Sequence, residues 1–244
     1  MSTFMMEARQ TLVPHHEVKH GPLPPLLVAM TVVTGLVDAF SYLALGHVFV
    51  ANMTGNVVFL AFALAGAPGF SILASLVALA AFLLGSFGGG LLGSHLGQHR
   101  GHLLTVAAGL QAIFLCVSVV LAVLSGNPVP TGVSYGLIVV LGIAMGLQNA
   151  TARKLAVPDL TTTVLTLTIV GIAADSRLAG GSGSKAGRRL ISVVAMFVGA
   201  LVGSLLVLHV SIVLPLAIAF VVLVITSGVT QLLSRTDPAW VRAS

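Results

Sequence analysis

The chain has 244 residues, 57% of them hydrophobic and only 7% charged, with a mean hydropathy of +1.10. A soluble domain carries about 25% charged residues, so this composition excludes a water-facing globular surface and identifies an integral membrane protein in contact with a lipid bilayer. The net charge of +5 does not point to nucleic acid, because the Lys and Arg residues fall in short loops and tails without a basic stripe or interleaved aromatics.

Residues 1–25 carry Glu7, Arg9, Glu17, Lys19, three histidines and four prolines. They lack the apolar stretch and small-residue cleavage site of a signal peptide, and are expected to form a disordered N-terminal tail. Two blocks follow, 26–125 and 133–232, and then a C-terminal tail, 233–244. Six segments are long and apolar enough to span a hydrocarbon core of about 30 Å, which takes about 20 helical residues. They are 26–46, 72–93 and 103–125 in the first block, and 133–152, 190–208 and 211–232 in the second. Cys116, the single cysteine, lies in the third span and reads as a small core residue. His95, His99 and His102 share a face if their helix continues, and an interfacial cap is the expected role rather than a metal site.

Two further stretches, 47–66 and 155–174, are apolar only in their second half. The first opens with Asn52, Thr54 and Asn56, the second with Asp159, Thr161, Thr162, Thr163, Thr166 and Thr168. They read as broken or re-entrant segments, which are tolerated at membrane depth only where buried in protein or lining a cavity.

The two blocks repeat each other. Gly35-Leu36-Val37-Asp38 corresponds to Gly146-Leu147-Gln148-Asn149, Thr54-Gly55-Asn56 to Thr166-Leu167-Thr168, and Gly85–Leu92 to Gly199–Leu206. The offsets are 111, 112 and 114 residues. With the six long segments as the crossings and the N-terminus inside, all eleven Lys and Arg fall on the inner side, as the positive-inside rule prefers. Each block then crosses three times, so the repeat is inverted and both termini are cytoplasmic. The predicted fold is therefore all-α: a polytopic helix bundle of about six spanning helices plus two broken segments in an inverted internal repeat. Gly85, Gly89, Gly93, Gly97 and Gly101 recur every four residues, as do Gly142 and Gly146, and Ala195, Gly199 and Gly203. Such faces suit close helix packing within the chain, or the seam of a homodimer.

The polar residues at the breaks supply the candidate chemistry. Asp38 is the only acid well inside a spanning helix, and a charge there costs about 2.5–3.5 kcal/mol on insertion scales. It reads either as the titrating group of a proton- or cation-coupled site, or as a strut tying the broken segment to its helix through free backbone N–H groups. Asn52, Thr54, Asn56, Thr162, Thr163, Thr166 and Thr168 are neutral donors and acceptors that could cap the short helices after the breaks or contact a solute. Gln148 and Asn149 hold the counterpart of the Asp38 motif. Polar breaks in corresponding positions of two repeats are the sequence pointer to a transporter site. Motifs for nucleophilic, phosphate-binding or zinc-dependent catalysis are missing, so no enzyme activity, cofactor or metal is expected.

The string Gly35-Leu36-Val37-Asp38-Ala39-Phe40-Ser41-Tyr42-Leu43, followed by Phe49 to Asn56, resembles the signature of the YoaK-like family of bacterial membrane proteins, a domain-of-unknown-function family. Met145 to Ala150 and Thr162 to Thr166 resemble its second signature, with Leu167 where that family has glycine. The resemblance covers about residues 25–232, adds Tyr42 to the candidate site, and implies a multi-pass protein of the bacterial inner membrane. Together these readings give a small secondary transporter of a small solute, with its site between the two breaks. A non-transporting membrane scaffold or sensor is the alternative.

Overall fold

The computed structural model describes residues 3–13, 20–160, 162, 165–181, 185–236 and 240–242. Among these the protein is entirely helical: α1 (Thr3–Leu12), α2 (Leu23–Ala44), α3 (Met53–Leu64), α4 (Ile72–Leu96), α5 (Arg100–Ser125), α6 (Thr131–Leu155), α7 (Leu165–Ala174), α8 (Ala186–His209) and α9 (Leu214–Thr236). Six of them, α2, α4, α5, α6, α8 and α9, are long and apolar enough to cross a membrane. Their 22 to 26 residues at about 1.5 Å per residue exceed the hydrocarbon thickness of about 30 Å. Chain chemistry sets their ends. Ser71 caps α4 by accepting from Ala74 N at 3.2 Å. His99 caps α5 by accepting from His102 N at 3.0 Å, the interfacial role expected of it. Prolines stand in the first turn of α2 and just before α6, where a missing N–H costs nothing.

The bundle is built from close crossings. Helix α2 packs along α8, α6 along α4, and α5 along α9; α5 also contacts α6, as α2 contacts α9. Glycine makes the first two crossings tight. A Cβ on Gly35 would fall 2.5 Å from Met196 O and Ala200 N of α8, and one on Gly199 would meet the Val32 backbone. On the other pair, Gly85 faces the Ile143 backbone and Gly146 faces Phe82 O and Ser86 N. The glycine faces on which a homodimer seam was one expectation are therefore spent inside the chain. Short helices α3 and α7 lie against α4 and α8 respectively. The outer surface is apolar: Leu83, Leu84, Phe87, Ile113, Leu124 and Phe197 are exposed, as a bilayer requires.

The ends of the bundle differ in charge. His20, Arg100, Leu155 and Val241 meet at one end: Arg100 N donates to Val241 O at 2.8 Å, and its guanidinium reaches Leu155 O and His20. Arg153, Lys154, Arg188, Arg189 and Arg235 lie on the helix termini of the same end. The connections at the other end, residues 45–71, 126–130 and 210–213, contain no Lys, Arg, Asp or Glu.

Two expectations are corrected, on residues 3–12 and on Cys116. Residues 3–12, assigned to a disordered tail, form α1, which packs on α8; Glu7 accepts from Lys185 N at 2.9 Å and Gly187 N at 3.2 Å. A carboxylate there satisfies orphan N–H groups at the start of α8. His15 and His16 lie outside the described residues. The C-terminal tail is anchored by Trp240, which is buried. Cys116 is exposed on the apolar surface of α5 rather than packed in the core.

Candidate functional site

At the first break the chain leaves α2 through Gly46 and His47, both at positive φ, and turns back into the bundle. Its free N–H groups converge on Asp38. Val50 N and Ala51 N each donate to Oδ1 at 2.9 Å, Asn52 N donates to Oδ2 at 3.2 Å, and Asn52 Nδ2 donates to Oδ2. Asp38 is 4% exposed, so these bonds replace the water that an unwound backbone would otherwise need. Of its two expected roles, the geometry displays the strut. Asn52 makes no cap bond to α3, because its amide is committed to Asp38. Asn56 is fully buried and pairs mainly with Phe49: Phe49 N donates to Oδ1 at 2.9 Å, and Nδ2 donates to Phe49 O at 2.6 Å and to Met53 Sδ at 3.4 Å. Tyr42 stacks on Phe49 with ring centroids 5.1 Å apart, beside His47 and Phe59. These rings form an aromatic plug at the uncharged end.

The second break is held differently. Ala156, Asp159 and Thr162 all take positive φ, an arrangement that side chains with a Cβ adopt only under tertiary constraint. Arg189 of α8 holds Asp159 in place. Its Nε donates to Asp159 Oδ1 at 2.9 Å, while Nη1 meets Asp175 Oδ2 at 2.7 Å and Gly171 O. A Cβ on Gly171 would lie 2.5 Å from Arg189 Cζ, so this glycine makes room for the guanidinium. Asn149, the counterpart of Asp38, turns back to its own helix and donates to Met145 O at 2.9 Å. Thr162 Oγ1 and Asp159 Oδ2 are buried without a protein partner.

The two breaks meet across one cavity of about 1370 Å³. Asn52, Thr54, Ser86, Asn149, Thr166 and Thr168 line its walls, with Phe82 and Met196 beside them; Arg153, Lys154, Asp159 and Arg189 stand toward the basic end. Phe82 lies near the middle of α4, while Ser94, in its last turn, lines the same space. The cavity therefore runs from the basic end about halfway through the bundle. Leu167, where the resembling family has glycine, is 73% exposed on its rim, so its bulk is accommodated.

Among the residues expected at the site, Asn52, Thr54, Asn149, Thr166 and Thr168 line this cavity. Asp38, Tyr42, Asn56, Gln148 and Thr162 do not: Asp38, Asn56, Gln148 and Thr162 are buried in the protein, and Tyr42 packs half-buried among aromatic rings. Thr163 lies outside the described residues. Gln148 belongs to a fully buried network joining three helices. It accepts from Gln111 Nε2 at 2.7 Å, and its own Nε2 donates to Thr34 Oγ1 at 2.8 Å and Met30 O at 3.2 Å. Sequence reasoning passed over Gln111, Ser86 and Arg189. A glutamine in mid-span and an arginine directly before an apolar run were the available signals.

The comparisons with known proteins agree with this architecture. Residues 26–229 match the family model described as protein of unknown function (DUF1275). The chain is 35% identical over 154 residues to the UPF0700 transmembrane protein YoaK of Bacillus subtilis (strain 168), an alignment spanning 62% of this chain and 65% of that protein. No solved structure shows a significant match. The model match across nearly all of the helical bundle, with a transmembrane relative at this identity, places the chain in the YoaK-like DUF1275 family of membrane proteins.

Proposed function

We propose that this protein is a small secondary transporter, built as an inverted repeat, that passes a small solute through the cavity between its two breaks. One observation carries the reading: broken segments from both halves of the chain, through Asn52 and Thr54 on one side and Thr166 and Thr168 on the other, line a single cavity reaching mid-bundle. Such breaks at a repeat interface are where secondary transporters hold their substrates. The packing supports the repeat. Exchanging α2, α3, α4 and α5 for α6, α7, α8 and α9 maps the α2–α8 crossing onto α6–α4, and the α3–α4 contact onto α7–α8. The tight glycines correspond in the same way, Gly35 with Gly146 and Gly85 with Gly199.

In this reading the basic end is cytoplasmic, the cavity is open inward, and the aromatic plug with the Asp38-bound loop closes the outer side. Asp38 holds the wall. Asp159 lines the cavity and is paired with Arg189. The Asp38 anchor also favours the alternative of a scaffold or sensor, since it fixes the first break to its helix. No reaction is assigned to the site.

The test is solute counterflow in proteoliposomes, with Thr54→Cys and Thr166→Cys introduced into a Cys116→Ser background. A short bifunctional thiol reagent should link the two positions and arrest flux, and a cleavable linker should restore it on reduction. Failure of any solute in a broad panel to move at a protein-dependent rate would overturn the transporter reading.

A further inference from the structure

The cavity wall is unevenly charged. Three cations line it, Arg153, Lys154 and Arg189, against one acid, Asp159. Arg189 is already matched, by Asp159 and by Asp175. Arg153 and Lys154 are exposed and, among the described residues, have neither a hydrogen bond nor an ion pair. The fold makes space for them. A Cβ on Gly93 would lie 3.2 Å from Lys154 Cγ, and one on Gly97 would lie 2.5 Å from Lys154 Cε. The lysine stem therefore runs along a trough that α4 keeps open with two glycines. Farther in, Asn52, Thr54, Ser86, Asn149 and Thr166 offer amide and hydroxyl groups but no further acid.

We infer that the cavity takes a small anionic solute, a carboxylate or inorganic oxyanion, with Arg153 and Lys154 as its charge-recognising residues. This inference rests on the transporter reading for the cavity's role but concerns the substrate class alone. Uncompensated cations in a partly enclosed space raise the local concentration of anions. The guanidinium matches a two-oxygen face, while the ammonium acts as a point charge. A residue that served only to orient the chain in the membrane would need no trough for its stem and no place on a cavity wall. Arg235, on the last turn of α9 at the same end of the bundle but absent from the cavity, provides the comparison.

The test uses the full chain purified in a neutral detergent, with thermal unfolding as the readout. The probes are inorganic phosphate, sulfate, succinate and lactate, with choline and glycerol as cationic and neutral controls at matched ionic strength. At least one anion should raise the unfolding temperature saturably. The double variant Arg153→Gln/Lys154→Gln should weaken that response about tenfold, equivalent to about 1.4 kcal/mol. Arg153→Lys/Lys154→Arg and Arg235→Gln should both retain it. Stabilisation by choline or glycerol alone, by anionic phospholipid alone, or by anions equally in the Gln double variant would overturn the assignment, as would no response to any anion. Anion binding with no flux in proteoliposomes would remove the transporter reading and leave the site. Flux of a neutral or cationic solute untouched by the double variant would do the reverse.

Discussion

Replacing Asp38 by asparagine separates a structural acid from a coupling acid. The carboxylate receives four N–H donors, two on each oxygen. An amide keeps one oxygen and presents an NH₂ group to the other pair, so two donors lose their acceptor and face another donor. Hydrogen bonds to a charged group contribute about 1.5–3 kcal/mol each, which puts the loss at about 3–6 kcal/mol. Against a total stability of about 5–15 kcal/mol this is severe, and it corresponds to a fall in unfolding temperature of about 10 °C. The substitution is nearly isosteric, so the effect reports the donors rather than the packing. Thermal unfolding in detergent measures the global cost. Alkylation of Thr54→Cys in a Cys116→Ser background measures local loosening of the break, and should accelerate in Asp38→Asn. A variant that melts like the wild type, with unchanged alkylation but abolished flux, would refute the anchor and return Asp38 to the coupling role.

Two further pairs of substitutions probe what holds the bundle. Gly199→Val should cost about 1–3 kcal/mol, because its Cβ would meet the Val32 backbone, which no rotamer change can relieve; Gly88→Ala, with open space at its Cβ, should be neutral in the same chemical-unfolding titration. Gln148→Leu strands Gln111 Nε2 and should cost about 1–2 kcal/mol, and Gln111→Leu added to it should recover part of that loss; strictly additive costs in the double-mutant cycle would show that the two amides do not act together.

Most of the fold was legible because the bilayer allows few solutions. The spans announced themselves as apolar runs, and all six appear within a few residues of their expected ends. The breaks announced themselves as polar residues where apolar ones belong. Direction was not legible. A 3.6-residue period tells which residues share a face, but Asn52 and Asn56 lie on one short stretch and do opposite things, one on the cavity wall and the other turned to Phe49. That choice depends on which donors the neighbouring chain leaves free. Arg189 stayed hidden for a related reason. In the sequence it is one of several basic residues before an apolar run, and only the fold brings Asp159 and Asp175, thirty and fourteen residues upstream in the chain, onto its guanidinium. The N-terminal helix was missed because its ten residues are too few to be stable by propensity alone; contact with α8 stabilises it.

The two halves share a framework but lock their breaks by different means, and the difference bears on how the site could work. In the first half the lock is internal to that half: an acid on α2 holds the loop that follows α2, through four hydrogen bonds in a buried site. In the second half the residue in the same position is an amide that bonds its own helix, and the lock comes from α8, as an arginine shared between two acids and a backbone carbonyl. Asp175 in that pair is 53% exposed and Asp159 lines the cavity. Water or a solute can therefore compete for the Asp175 side of Arg189, where an ion pair open to solvent contributes only about 0–1 kcal/mol, while the Asp159 pair is mostly buried, at 12% and 16% exposure. The Asp38 bonds have no competitor within reach. The second break thus has one solvent-open bond where the first has none, and it stands where the cavity meets the basic end. On the proposed transporter reading, one break is fixed in the protein interior while the other carries, through Asp175, an ion pair exposed enough for a charged ligand to disturb.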